Sequence, residues 1–457
     1  MCINKTAIEV RLLFIIAVII MFLSMNLGVV KYNSAMTIGC IAFSSLLMFS
    51  ICLFKKEWLQ KELSASCFYM AMISVFVISF ISQSIIVYCV PLEFINDFLI
   101  TKNQVEYMAE TFAINPSYND YYHAFPFNLD TVGIITAIYK LVGNYTHVVI
   151  IFASLVNIAG IIIGLSIKNI TNKSCVAIFV TILYELYSLF AIKTYWPYTG
   201  NLGLLFVALI IYAYTLNVNK SKKILLVVLF AAIGWRVKMT CLVPFVGISI
   251  IEGINAIRQK DVKHITVAIV SFVVCFGGAF LCHKAYFNAL RFESDPTIEH
   301  NVIYYFALGQ NTEYGGQHYH PISVQGDIHR PKEVRDSLFM NMALDYIKER
   351  GVFGNVKFFV GKIAYCWGDT NLDYHTSIDK KVPMAIRHSI WYVALMCMTI
   401  GIFIIRDRRY LSLMLSIFGA ILYLYISEAS ASYVIMYSPI VFVMMGWMLS
   451  TREKKHE

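Results

Sequence analysis

The chain has 457 residues, of which 58% are hydrophobic, 15% aromatic and only 14% charged. A soluble domain carries about 25% charged residues, so this balance excludes an ordinary globular enzyme and points to a chain threaded repeatedly through a bilayer. The formal charge of +9 gathers in short links between apolar runs, a pattern of membrane orientation rather than of nucleic-acid binding.

Taken in chain order, the first run covers Leu12 to Val30 behind Lys5 and Arg11. It is longer than the core of a signal peptide, about 7–15 residues, and carries no small-x-small cleavage site, so it reads as a first transmembrane helix. Further apolar runs lie near 35–54, 65–90, 147–167, 174–193, 200–217, 223–236, 240–256, 264–285, 387–404, 410–427 and 432–449. Each suits a helix crossing about 30 Å of hydrocarbon. The expected fold is therefore an all-α polytopic membrane protein with about twelve transmembrane helices, in the plasma membrane.

Charge orients those helices, because Lys and Arg collect on the cytoplasmic side of short loops. The links "KKEWLQK" (55–61), "KNITNK" (168–173), "NKSKK" (219–223), "RQKDVKH" (258–264) and "RDRR" (406–409) then face the cytoplasm, as do both termini. One segment, 129–143, spans only about 20 Å at 1.5 Å per residue. It is read as an interfacial or re-entrant helix on the outer face, since a full crossing would invert every later basic loop. Three regions result. Residues 1–285 form an N-terminal transmembrane module carrying a first outer loop (91–146). Residues 286–386 form a second outer loop with amphipathic helices. Residues 387–457 hold the C-terminal transmembrane helices and a cytoplasmic tail. Within the second loop, 337–351 reads as an amphipathic helix with a glycine stop. The stretch 352–369, with Lys357 and Lys362, is expected along the headgroups.

The 11 cysteines mostly fall inside apolar runs, where Cys acts as a small hydrophobe. Cys282 and Cys366 near membrane borders match no metal spacing. The chain has no P-loop, so any chemistry must use an energy-rich substrate brought to it.

Candidate chemical residues cluster outside the spans. Asp97 lies just beyond the run ending at Val90, where a low dielectric suits a general base; the alternative is a solvated loop acid. Glu106 and Glu110, spaced i,i+4, share a helix face and bind either a cation or water. Tyr121, Tyr122, His123 and Pro126, in "NPSYNDYYHAFPFNLD" (115–130), suit a rigid wall for a sugar or lipid, or an interfacial aromatic belt. Arg236 and Lys238 sit at an outward turn against the charge rule. A guanidinium there grips a phosphate bidentately, unless it pairs with a loop carboxylate or a lipid headgroup. His318 and His320 form an HxH pair without a third ligand at recognisable spacing, so no metal or other cofactor is assigned.

In order, then, come a helix, an outer loop with an early acid, an aromatic-proline segment and a short apolar helix closing in "KLVG". This order resembles the membrane-embedded glycosyltransferases of the C type, in particular the protein-O-mannosyltransferase-like and aminoarabinose-transferase-like families. The likeness covers roughly residues 65–260. It rests on Asp97, Tyr107 and Ala109, then on Tyr121, Tyr122, Phe125, Pro126 and the run to Gly143. The chain departs from the family where a Lys precedes a double proline, having Phe125 and a single proline, and Phe98 replaces the second acid of an acidic pair.

The resemblance implies transfer of a sugar from a polyprenyl-phosphate donor to a polysaccharide, lipid or protein acceptor at the outer face. Asp97 would be the base, Arg236, Lys238 and His123 would meet the donor phosphate, and Glu106, Tyr107, Glu110, Tyr121, Tyr122 and Pro126 would line the pocket. Two alternatives stand beside it. One is a polysaccharide polymerase or ligase using outer-loop arginines, here Arg291, Arg330, Arg335 and Arg350. The other is a transporter or flippase for a lipid-linked glycan, for which Glu185, halfway along its span, is the main intramembrane charge. Beyond substrates, the only partners expected are membrane lipids.

Overall fold

The computed structural model describes residues 42, 45–46, 50, 56–89, 94, 96–191, 195–316, 330–367, 381–428 and 431–451. Most of the predicted spans at 12–30 and 35–54, and the His318–His320 pair, lie outside these residues. Among the described residues there is no strand. Sixteen helices position everything discussed below. They are α1 (Ala65–Cys89), α2 (Asn96–Thr111), α3 (Asn119–Ala124), α4 (Asn128–Val142), α5 (Tyr145–Thr171), α6 (Ser174–Leu189), α7 (Thr199–Thr215) and α8 (Lys220–Val237). They continue with α9 (Leu242–Arg258), α10 (Val262–Ala289), α11 (Val302–Gln310), α12 (Lys332–Trp367), α13 (Lys381–Ile404), α14 (Arg408–Ile426), α15 (Ala431–Ile435) and α16 (Ser438–Ser450).

Local chemistry sets many of these boundaries. Asn144, Asn219, Asp261 and Asp407 each cap a helix start by accepting from the backbone N–H of Thr146, Lys222, His264 and Arg409, which satisfies donors the helix itself cannot. Asp261 also takes hydrogen bonds from Lys220 and His264, and these hold its carboxyl down to about 2. Gly143 closes α4 with φ +68°, a conformation glycine adopts without a Cβ penalty.

Among the described residues, six helices are long and apolar enough to cross a membrane: α1, α5, α9 with its preceding turn, α10, the Ile386–Ile404 part of α13, and α14. Helices α6, α7 and α16 are apolar but have 16, 17 and 13 residues, or about 20–26 Å. Helix α16 occupies the centre, with every residue from Ser438 to Leu449 buried. It packs on α5, α6, α7 and α13. A helix apolar all round belongs inside such an assembly. At the periphery, α10 buries only Ser271 and Phe287 of its 28 residues, and its exposed face carries Ile269, Val273, Val274 and Leu281. The protein is thus an all-α membrane protein.

Each expected span within the described residues meets a helix, and the short segment 129–143 appears as α4. The segment expected as a second outer loop meets expectation at one place and departs from it at another. Gly351 ends the first helical stretch of α12 as expected, with φ 60° and ψ −174°, and a second helical stretch follows it directly, so α12 is two helices joined at a kink. Lys362 does not lie along the headgroups but is 1% exposed. Its Nζ donates to the carbonyls of Gly309 at 2.8 Å, Ser427 at 2.7 Å and Tyr425 at 3.4 Å. One ammonium thereby caps the ends of α11 and α14, because orphan carbonyls at helix C-termini need donors when buried. Arg350 does related work, donating to Gln310 O at 2.6 Å and to Gln310 Oε1 at 2.7 Å.

Lys362→Met removes the donor for those carbonyls and should destabilise the protein by about 3 kcal/mol, while Lys357→Met, at an exposed site, should be silent. Thermal unfolding in detergent checks this. Equal midpoints for the two variants would remove Lys362 as a clamp.

Candidate active site

Helix α2 begins at Asn96, whose φ is +48°, a left-handed value that Asn tolerates better than most residues. The next residue, Asp97, falls in the first turn, where the helix macrodipole favours a negative charge. The helix buries Thr101, Gln104, Val105 and Met108, at the spacing of one apolar face, and that face packs on α4. Buried Gln104 is satisfied by its loop: Nε2 donates to Ala113 O at 3.0 Å, and Asn115 N donates to Oε1 at 2.9 Å. Asn103 donates to the Tyr118 hydroxyl at 2.7 Å. These bonds fold the segment after α2 back on the helix.

A hydrogen-bonded group then forms around Asp97. The Tyr198 hydroxyl donates to Asp97 Oδ2 at 3.2 Å. Asn128 Nδ2, at the start of α4, donates to the Tyr121 hydroxyl at 3.0 Å and to the Tyr198 hydroxyl at 3.4 Å. Phe98 fixes the approach of the two chain segments, its ring 4.6 Å from Trp196 and 5.2 Å from Tyr198. Burial, with the Asp97 charge adding to it, pushes the Tyr121 hydroxyl far above its ordinary value. Burial, then Tyr121 and Asp97, do the same to Tyr198. Both stay neutral phenols and remain able to donate. Asp97 itself is exposed, so it is held from one side and open on another.

A second set of groups is electrostatically coupled to this one. Burial raises Tyr304 on α11, with the carboxylates of Glu428 and Asp97 both contributing. Tyr305 is raised by burial and by Tyr304, with Glu428 and Tyr121 also contributing. The Tyr433 hydroxyl donates to Glu428 Oε2 at 3.4 Å. Lys238 Nζ stands 4.7 Å from the centroid of the Tyr433 ring, a cation–π distance. Two carboxylates, an ammonium and a group of phenols thus belong to one electrostatic neighbourhood.

The remaining expected residues are distributed differently. Arg236 Nη2 donates to Asp130 Oδ2 at 2.6 Å and lies 2.6 Å from His283 Nδ1, which is itself 3.0 Å from Asp130 Oδ1. This guanidinium pairs with a loop carboxylate, joining α4, α8 and α10. Glu106 ion-pairs with Lys102 at 4.0 Å. It lies nine residues beyond Asp97, about 13 Å along the helix, and exposed Glu110 is farther still. Tyr107 is half-buried on the same helix. His123 turns to Phe292, with ring centroids 4.8 Å apart. Tyr122 is fully buried behind Tyr121. Pro126 is buried and accepts from Leu129 N at 3.1 Å, opening α4. The structure therefore brings Asp97 and Tyr121 together, and sets Glu106, Glu110, His123 and Arg236 apart from them.

Sequence reasoning missed Tyr198, Tyr305, Glu428 and Tyr433. The first had a signal, since "YWPY" (195–198) repeats the aromatic-proline character of 115–130 at the mouth of a span. Glu428 and Tyr433 had none, because single polar residues at a span end look like any membrane border. Among the described residues no three His, Cys, Asp or Glu side chains are placed to hold a metal ion.

If Arg236 serves chiefly to tie the three helices together, Arg236→Ala and Asp130→Asn should each cost about 2 kcal/mol and be non-additive when combined. Thermal unfolding of the two single variants and the double variant measures this. Fully additive losses would separate the two residues. No protein-family model, curated protein or solved structure matches the chain.

Proposed function

We propose that the protein is a membrane-embedded glycosyltransferase that moves a sugar from a polyprenyl-phosphate donor to a cell-envelope acceptor at the outer face of the plasma membrane. The observation that carries this reading is the Asp97 carboxylate, exposed at a helix N-terminus and held by Tyr198 beside Tyr121 and Asn128. A carboxylate fixed on one side and open on the other has the form of a general base. Phenols and an amide around it are the donors and acceptors that sugar hydroxyls require.

In this scheme the acceptor hydroxyl oxygen forms a bond to the anomeric carbon, and its proton passes to Asp97. The bond from that carbon to the phosphate oxygen breaks, and polyprenyl phosphate leaves with the electron pair. Lys238, at the edge of the same neighbourhood, offsets the charge gathering on the leaving phosphate, which is electrostatic stabilisation of the transition state. Arg236, engaged with Asp130 and His283, is better suited to holding the wall than to gripping the donor.

The arginine-dependent polymerase or ligase reading draws less support. Arg335 is 1% exposed and spends its guanidinium on the carbonyls of Thr297 and Glu299 at 2.7 and 3.3 Å, and Arg350 spends its own on Gln310. Both act as braces of the outer loop. We also propose twelve crossings with cytoplasmic termini, in which α6, α7, α8 and α16 count as spans and α4 lies on the outer face. Their termination at the basic links supports this.

Two experiments follow. Asp97→Asn should lower sugar transfer by about 10²–10⁴-fold with donor binding retained, whereas Glu106→Gln should turn over like wild type; an Asp97→Asn enzyme at full rate would end the mechanism. Single cysteines placed at Asn119 should react with an impermeant thiol reagent from outside, and those at Lys222 and Arg408 should not. Outside labelling at Lys222 would overturn the orientation.

A further inference from the structure

Away from the outer face, α1, α5 and α6 pack against one another and enclose a group of polar side chains. Glu185 of α6 is 4% exposed, Gln83 of α1 is 2% and Asn157 of α5 is 0%. All six of their side-chain N and O atoms lack a hydrogen-bond partner among the described residues. An orphaned buried polar group costs about 1–3 kcal/mol, so three such residues on adjacent helices are not a packing accident.

Their positions converge. A Cβ at Gly160 would run into Glu185 Oε1 and Tyr184, and one at Gly164 would meet Thr181 and Met72. The two glycines therefore let α6 and α1 close onto α5, with Met72 opposite Gly164. The Ser79 hydroxyl lies beside the Glu185 carboxyl, near enough to interact but outside hydrogen-bonding geometry. On α1, Met72 meets Gly164 of α5, while Ser79 lies beside Glu185, which itself meets Gly160 of α5, so α1 and α5 run antiparallel. One turn further along each, at i+4 and i−3, stand Gln83 and Asn157. Both amides thus fall on the same side of the carboxyl.

We propose that Ser79, Gln83, Asn157 and Glu185 form an intramembrane binding site for a monovalent alkali cation. The group offers carboxylate, amide and hydroxyl oxygens from three helices, the ligand type hard cations take. Among the described residues Glu185 has neither an ion pair nor a hydrogen-bond partner, and an isolated carboxylate at this depth is too costly to leave unneutralised. One carboxylate calls for one positive charge; a divalent ion would leave an excess charge in the same apolar surroundings. The amide oxygens can face the ion, since either orientation of an Asn or Gln head fits the same side-chain shape. A bound cation would clamp α1, whose far end leads into the segment bearing Asp97.

The test uses the full chain in detergent at fixed neutral pH, with sodium, potassium or choline chloride at equal ionic strength. Sodium or potassium should raise the unfolding midpoint saturably over choline, as ligand binding to the folded state requires. Glu185→Gln should abolish the response, and Gln83→Leu should weaken the apparent affinity roughly tenfold or more. Equilibrium binding of radioactive sodium to the wild-type protein, displaced by unlabelled alkali ions and not by choline, supports the site even if a variant fails to fold. Equal midpoints in all three salts with no displaceable binding would overturn it. So would stabilisation by acid alone in choline, which would make Glu185 a neutral acid. The readout is ion binding, so failure here leaves the sugar-transfer reading standing.

Discussion

Backbone groups at the buried helix ends have to be satisfied from within the protein wherever water and lipid headgroups do not reach. Lys362 answers that demand by reaching three carbonyls from α11 and from the end of α14. The residue after Ser427 is Glu428, so the same clamp fixes the carboxylate that faces Tyr433. Arg335 and Arg350 hold further carbonyls, those of Thr297 and Gln310. The cationic side chains that look from the sequence like ligand-binding charges are in large part internal braces. Lys238 stands instead against the Tyr433 ring, in the neighbourhood of Glu428, which is why the proposed mechanism assigns the donor phosphate to it.

The geometry around Asp97 follows from the same constraint. Asn128 has two neighbouring phenols to satisfy, and it does so only if α4 begins where Pro126 and Phe127 turn the chain. Tyr198 then reaches Asp97 because Phe98 packs against both Trp196 and Tyr198. Two segments about a hundred residues apart are joined by aromatic packing and one hydrogen bond. The carboxylate stays open on its remaining side, as a base that must meet an incoming hydroxyl requires.

Much of the fold was legible in the sequence because hydrophobic length is a strong signal. Ten expected spans within the described residues coincide with helices. Position near a span end singled out Asp97, and the aromatic-proline segment singled out Tyr121. Partners were harder to read. Arg236 stood out for breaking the charge rule, but its pairing with Asp130 and His283 depends on how three helices cross. Lys362 read as an amphipathic surface residue because its carbonyl partners are 53 to 65 residues away. The stop at Gly351 was legible because glycine adopts the left-handed φ that ends a helix, whereas the helix that resumes directly after it was not.

The central claim is that the site around Asp97 receives a sugar carried on a polyprenyl monophosphate. Mass spectrometry of lipid co-purified with the detergent-extracted protein tests it most directly. The account predicts a polyprenyl-phosphate sugar that is retained by Asp97→Asn protein and depleted in Lys238→Met protein. Recovery of ordinary phospholipid alone from all three, or of a polyprenyl diphosphate oligosaccharide, would contradict it.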